Sequence, residues 1–272
     1  MKSALTIIKE QIKSFYLIRR LSVYELKSAN SNNYLGILWE IINPMIQITI
    51  YWFVFGFVLS SRPPVDGVEY IYWMISGFVV WYFINQAVLQ GTKSIFSRIR
   101  FISKMSFPMS AIPSYIIFAK FYQHLMLLAV VFVILQFTGF PVSIYFIQMP
   151  YFMFATLVLL LALTLITSAL ATIVRDINML VPAVMRMMIY MTPILWPLSR
   201  IGEEHILIQK LLMLNPFYYV VEGYRSALLG KSGWYLIDHA GYTLYFWVVV
   251  IVLLSIGSAI HLKFRDHFVD YL

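Results

Sequence analysis

Long apolar runs separated by short polar breaks set the frame of this chain. The runs cover approximately residues 36–59, 71–89, 113–137, 151–174, 179–198 and 242–261, each near the roughly 20 residues that a helix needs to cross the hydrocarbon core of a bilayer. Six transmembrane helices are therefore predicted. The breaks are a tight SSRPPVDG turn, Gly139 with Pro141, a short aromatic stretch that ends at Pro150 and rests at the interface, and a turn at Arg175 and Asp176. Ahead of the first run, Leu5, Ile8, Ile12 and Phe15 recur at three and four residues with Lys9 and Lys13 on the flank. That spacing predicts an interfacial helix lying in the membrane plane, leading into a polar cytoplasmic segment that ends at residue 33.

Residues 200–230 follow another pattern. Two apolar pieces, 206–214 and 217–228, are each too short to cross and are separated by Asn215 and Pro216. They are expected to form a re-entrant helical hairpin before the last span, entering the outer leaflet and returning, as a lid over an exit. The fold class expected is all-α: one polytopic membrane domain over residues 1–272.

Between the second and third runs lies KSIFSRIRFISKMSFP, residues 93–108. Ile95, Ile99, Ile102 and Met105 share one helical face, and Lys93, Arg100 and Lys104 project from the other, although Arg98 falls near the apolar side. A short amphipathic helix on the inner membrane surface is predicted. Two roles are open to it: a positively charged topology loop, or a docking helix that receives force from a soluble partner.

Composition narrows the choices. Hydrophobic residues make up 61% and charged residues 12% of the 272, with a mean hydropathy of +0.80, which excludes an ordinary soluble globule. A net charge of +8 raises the question of nucleic acid, but the cations flank apolar runs instead of forming one patch, so membrane orientation and anionic headgroups account for them. The positions of Lys and Arg are asymmetric. Thirteen (2, 9, 13, 19, 20, 27, 93, 98, 100, 104, 175, 263 and 265) fall on the side of the two termini, against five (62, 200, 210, 225 and 231) on the other. Both termini are thus expected in the cytoplasm, in a multi-pass protein of the cytoplasmic membrane. There is no cysteine, so thiol chemistry and disulfides are excluded.

Candidate chemistry is sparse. A GKS tripeptide at 230–232 lacks the upstream glycine of a phosphate-binding loop, where Arg225 stands instead, so no nucleotide site is expected. All twelve carboxylates fall near or outside the predicted span ends, which argues against coupling to an ion gradient. Lys120, His124 and Arg186 do fall inside spans; snorkelling toward headgroups and contact with an anionic phosphate are both open for Lys120 and Arg186. Among many aromatics, Trp39, Tyr51, Phe55, Trp81, Tyr82, Tyr190 and Trp196 are candidates to face sugars or polyols, the alternative being interface belts and packing. Glu203, Glu204 and His205 form the only dense cluster of acid and base residues. Three adjacent residues on one turn diverge, which disfavours an enzyme acting on a lipid-linked sugar. No metal site is expected.

YLGILWEIINPM at 34–45, SRIRFISKMSFP after the second run, VRDINMLVP at 174–182 and LNPFYYVVEGYRSALL at 214–229 resemble the permease subunits of ABC-2 type exporters of lipid-linked polysaccharides. Within that group, IKEQIKSF and YELKSANSNNYLGILWEIINP look most like permeases that translocate wall teichoic acid in Gram-positive bacteria. The resemblance implies a homodimer joined to two copies of a separate ATPase that holds ATP and Mg2+, and this chain would itself carry no cofactor. It places Lys93, Ser97, Arg98, Ile99, Arg100, Phe101, Ile102 and Lys104 in a coupling helix seated on that ATPase, with Arg175 and Asp176 as a second contact. The implied cargo is an undecaprenyl-diphosphate-linked teichoic acid; O-antigen or capsular polysaccharide would suit the same machine.

Overall fold

The computed structural model describes residues 2–58, 64–102, 108–231 and 233–265, without the side chains of 99–102 and 203. Two helices, α1 (Lys2–Lys13) and α2 (Phe15–Ala29), open the chain. The predicted apolar stripe of α1 is displayed, since Leu5, Ile8 and Ile12 are exposed. Next comes α3 (Trp39–Tyr51), which continues as a π-helix over Trp52–Val58. A two-residue turn at Asp66 and Gly67, both at positive φ, pairs Val65 with Val68, as an Asp-Gly turn does.

The following helices are α4 (Tyr70–Ile102), α5 (Ala111–Phe137) and α6 (Met149–Ile173). After them come α7 (Ile177–Met191), the short pair α8 (Ile206–Met213) and α9 (Pro216–Leu229), a single turn α10 (Tyr235–Asp238), and α11 (Ala240–Phe264). Among the described residues five helical stretches are long and apolar enough to cross a membrane. This is an all-α polytopic membrane protein.

Two expected elements come out differently. The segment at 93–108 was expected as a separate helix, yet its first ten residues are the last turns of α4, which runs unbroken to Ile102. No proline interrupts it, and the hydroxyls of Ser94 and Ser97 fold back on the carbonyls of Gly91 and Lys93, which leaves the helix intact. At 1.5 Å per residue, its 33 residues span about 50 Å, well beyond a 30 Å core. Any force on this end therefore acts directly on a transmembrane helix.

The other is the fifth apolar run. Its helix α7 has 15 residues, about 22 Å, and stops where Thr192 takes an extended conformation (φ −102°, ψ 92°). Pro193 is the cause, because a residue preceding proline is pushed out of the helical region. The chain from 192 to 197 continues as irregular backbone.

Packing has a clear centre. The apolar window of α4 is 72% buried, whereas that of the first span is only 11% buried. α6 packs along α11 and along α4, α4 along α5, and α9 is wedged against α4. α9 is nearly all buried, from Phe217 to Leu228. It is thus a core element of the bundle, where only a lid had been expected. A second, smaller cluster joins Ile18 of α2 and Ile95 of α4 to Ala111, Ile112, Tyr115 and Ile116 of α5.

One end of the bundle, here the near end, gathers α1, the start of α5 and the described end of α11. Arg265 lies 3.0 Å from Glu10, and the Ser110 hydroxyl also donates to Glu10. α1, the start of α5 and the described end of α11 therefore sit side by side. The far end holds the Asp66 turn, Phe140, α10 and the irregular segment after α7, tied by Lys231 Nζ to the Gly67 carbonyl (2.6 Å) and Tyr70 to the Leu195 carbonyl (2.8 Å).

Candidate functional site

The near end carries the residues expected to receive force. Lys93 and Ser97 are exposed on α4, and Arg175 and Asp176 are exposed in the turn between α6 and α7. Arg98 is not free: it pairs with Glu25 of α2 and lies 5.7 Å from the centroid of the Tyr115 ring. Its place on the apolar side of the helix, which looked like a flaw in the amphipathic pattern, is what lets it reach α2 and α5. The side chains of Ile99, Arg100, Phe101 and Ile102 lie outside the described residues, as does Lys104 altogether. Ile95, the one residue of the apolar stripe whose side chain is described, packs with Ile18 and Ile112.

The candidates for a path divide into groups. Tyr51 stands 6.4 Å from Phe55 and 5.6 Å from Phe78, and Phe78 stands 6.3 Å from Tyr82, ring centroid to centroid. These rings line the junction of α3 and α4. Tyr190 is 53% exposed on α7, and its carbonyl receives the Trp196 indole N–H at 3.0 Å. Trp39 is half-exposed at the head of α3, and Arg186 is exposed on α7.

Trp81 differs from expectation. It is 3% exposed and meets Phe217 edge to face at 6.0 Å, so its ring is core packing and faces no open path. Lys120 is 8% exposed: its stem is packed between helices, and its ammonium keeps a little exposed surface, as a snorkelling head does. It makes no hydrogen bond among the described residues, and the charges that reach it are those of Glu40, Glu25 and Arg98. Glu40 in turn accepts from Asn30 Nδ2 at 2.8 Å. His124 is a core residue: its Nε2 is 3.0 Å from the Tyr224 hydroxyl and its ring stacks on Phe83 at 4.9 Å.

Of the GKS tripeptide, Ser232 lies outside the described residues, and Gly230 and Lys231 have a structural explanation. Gly230 takes φ +66° as the residue that ends α9, the left-handed stop that glycine allows, and Lys231 ties down the Asp66 turn. Glu204 and His205 are exposed, 3.9 Å apart. Among the described residues no three His, Cys, Asp or Glu side chains gather as metal ligands would.

The residue that sequence reasoning missed is Arg225. Counted as one of the loop cations, it is only 3% exposed, inside the bundle on α9. Its guanidinium pairs with Glu222, stacks 3.6 Å over Trp73, and donates to the carbonyls of Trp73 (3.3 Å), Pro193 (3.1 Å) and Ile194 (3.2 Å). A signal was present: Glu222 and Arg225 lie at i, i+3 in an otherwise apolar helix, a spacing that lets them pair.

The fold is a helical membrane domain whose longest helix, α4, runs on at one end into a basic segment. The chain belongs to the ABC-2 type transporter family, whose model matches residues 16–229. Similarity to curated relatives runs from end to end. The O-antigen export system permease protein RfbA of Myxococcus xanthus is 24% identical over 264 residues, 97% of this chain and 98% of the relative. Two proteins of the same name from Klebsiella pneumoniae are 24% identical over 253 residues (92% and 93% covered) and 23% over 259 residues (95% and 95%).

Proposed function

We propose that this chain is the transmembrane subunit of an ATP-driven exporter that moves a lipid-linked polysaccharide across the cytoplasmic membrane. The observation that carries this reading is the end-to-end similarity to O-antigen export permeases. O-antigen-like polysaccharide is accordingly the favoured cargo. Wall teichoic acid is the second reading, supported by the motifs at the N-terminus and the head of the first span.

In this reading the near end is cytoplasmic, with both termini, and α7 with its irregular continuation makes a sixth crossing. A separate ATPase, with ATP and Mg2+, docks on the near end of α4 and on the Arg175–Asp176 turn; no bond is made or broken in this subunit. The sparsely covered first span and the exposed face of α7, where Met179, Leu180, Val184, Met187 and Tyr190 lie, fit a homodimer. Two copies would set these faces toward each other around the cargo. Lys120, enclosed without a hydrogen-bonding partner among the described residues, suits an anionic phosphate of the lipid carrier.

The test has two parts. The chain is purified in detergent from its own cell, and an equimolar soluble nucleotide-binding subunit is expected with it. Its depletion is then followed by analysis of surface polymer. Loss of a neutral or phosphate-poor polysaccharide supports the favoured cargo, loss of cell-wall phosphate supports teichoic acid, and unchanged surface polymer refutes both.

A further inference from the structure

The break at the far end of α7 is held shut by side chains from other elements. Consecutive carbonyls of the irregular segment that follows all accept hydrogen bonds: Pro193 and Ile194 from Arg225, and Leu195 from Tyr70. Thr192 Oγ1 receives the Asn215 side-chain amide at 2.6 Å, and the Asn215 oxygen in turn caps α9 through the Phe217 N–H at 3.0 Å. Ile194 and Leu195 are fully buried, so these carbonyls, freed by the break, need protein donors.

Arg225 uses four of its five N–H groups in this knot: one on Trp73 of α4, one on Glu222 of α9, and two on the irregular segment after α7. Gly77 makes room for it, since a Cβ there would lie 2.7 Å from Nη2. One planar side chain thus ties three elements at one end of the bundle. A lysine could balance Glu222, but its single ammonium has no rigid fork to span three carbonyls. Near its start α7 is held to α6 by Asn178, whose Nδ2 reaches the Ala171 carbonyl at 3.2 Å across the exposed Arg175–Asp176 turn.

We propose that Arg225 is a positioning residue for transport, locking the far ends of α4, α7 and α9 into one block, so that α7 tilts about a fixed far point when its near end is moved. The inference rests on the reading above that ATP acts at the near end. It makes the α8–α9 hairpin and the end of α7 travel together.

The absence of cysteine in this chain permits clean paired labels in the purified permease, which is then assembled with its ATPase. A far-end pair, Glu69→Cys with Ser199→Cys, and a near-end pair, Gln90→Cys with Met179→Cys, are spin-labelled and measured with and without ATP under non-hydrolysing conditions. The far-end distance is expected to stay constant while the near-end distance changes. In Arg225→Lys the far-end distribution should broaden and export fall about tenfold, with ATP hydrolysis within about twofold of the parent. Gly77→Ala, which keeps the arginine and its charge, should act in the same direction.

Export by Arg225→Lys at the parent rate would show that charge balance alone matters and overturn the proposal. So would separation of the far-end pair in the unmutated protein when ATP binds, a measurement that stands even if both variants fail to accumulate. If the far pair stays fixed and α7 tilts, yet no polysaccharide is exported, the functional reading fails and the block stands.

Discussion

Replacing Gly223 with alanine puts the packing of α9 to a quantitative test. A Cβ at this position would stand 2.1, 2.3 and 2.5 Å from Cε1, Cδ1 and Cζ of Phe152, against the roughly 3.5–4.0 Å of an ordinary carbon contact. Something must move by more than an ångström. The Phe152 ring has nowhere to go, because it is fully buried and ringed by Tyr151, Tyr219 and Tyr235 at centroid distances of 5.1, 5.7 and 6.2 Å. Overpacking of a filled core costs about 1–3 kcal/mol. The overlap here falls on a ring and not on a flexible chain end, which points to the upper part of that range. A loss near 3 kcal/mol corresponds to a shift of roughly a hundredfold in the folding equilibrium. The assay is the temperature at which half of the detergent-purified protein is lost from its gel-filtration peak.

Phe152→Leu supplies the internal control. Alone it leaves a partial cavity, a loss of about 1–2 kcal/mol on the scale of large-to-small core changes. Combined with Gly223→Ala it removes the clash, so the double variant should exceed the additive expectation by at least about 1 kcal/mol. A Gly223→Ala protein as stable as the parent, or no recovery by Phe152→Leu, would refute this account of the α6–α9 contact.

At the near end, Arg98→Glu should weaken both assembly and export, and the exchange Glu25→Arg with Arg98→Glu should recover most of the loss. The pair is 29% and 26% exposed, which limits it to about 1 kcal/mol; an exchange no better than the single change would remove the link between α2 and α4. Lys120 and Arg186 should part company. Arg186→Met, on an exposed face of α7, should leave export within about twofold, whereas Lys120→Met should lower it about tenfold while yield holds or rises, since an enclosed charge is costly to keep. Export scored per unit of purified protein checks both, and equal behaviour of the two would count against a phosphate contact at Lys120.

The order of apolar runs, the helical start, the turn at Asp66 and Gly67 and the short pair before the last helix are local matters. They depend on hydrophobic length, 3.6-residue periodicity and the backbone preferences of proline and glycine, all of which are written in consecutive residues, and each was legible without coordinates. The continuity of α4 through a basic segment was not, because charge marks where a membrane ends and says nothing of where a helix does.

Tertiary structure alone decided which polar groups are inside. Arg225 reads as one more basic residue between apolar stretches until α4 and the broken end of α7 come up against α9 and surround it with carbonyls. Arg98 reads as a docking cation until Glu25, 73 residues earlier, is brought alongside, and Trp81 reads as a path-lining ring until Phe217 closes over it. Burial is set by contacts between residues far apart in the chain. A one-dimensional pattern can place a residue on a face of its own helix, but what covers that face depends on how the helices cross.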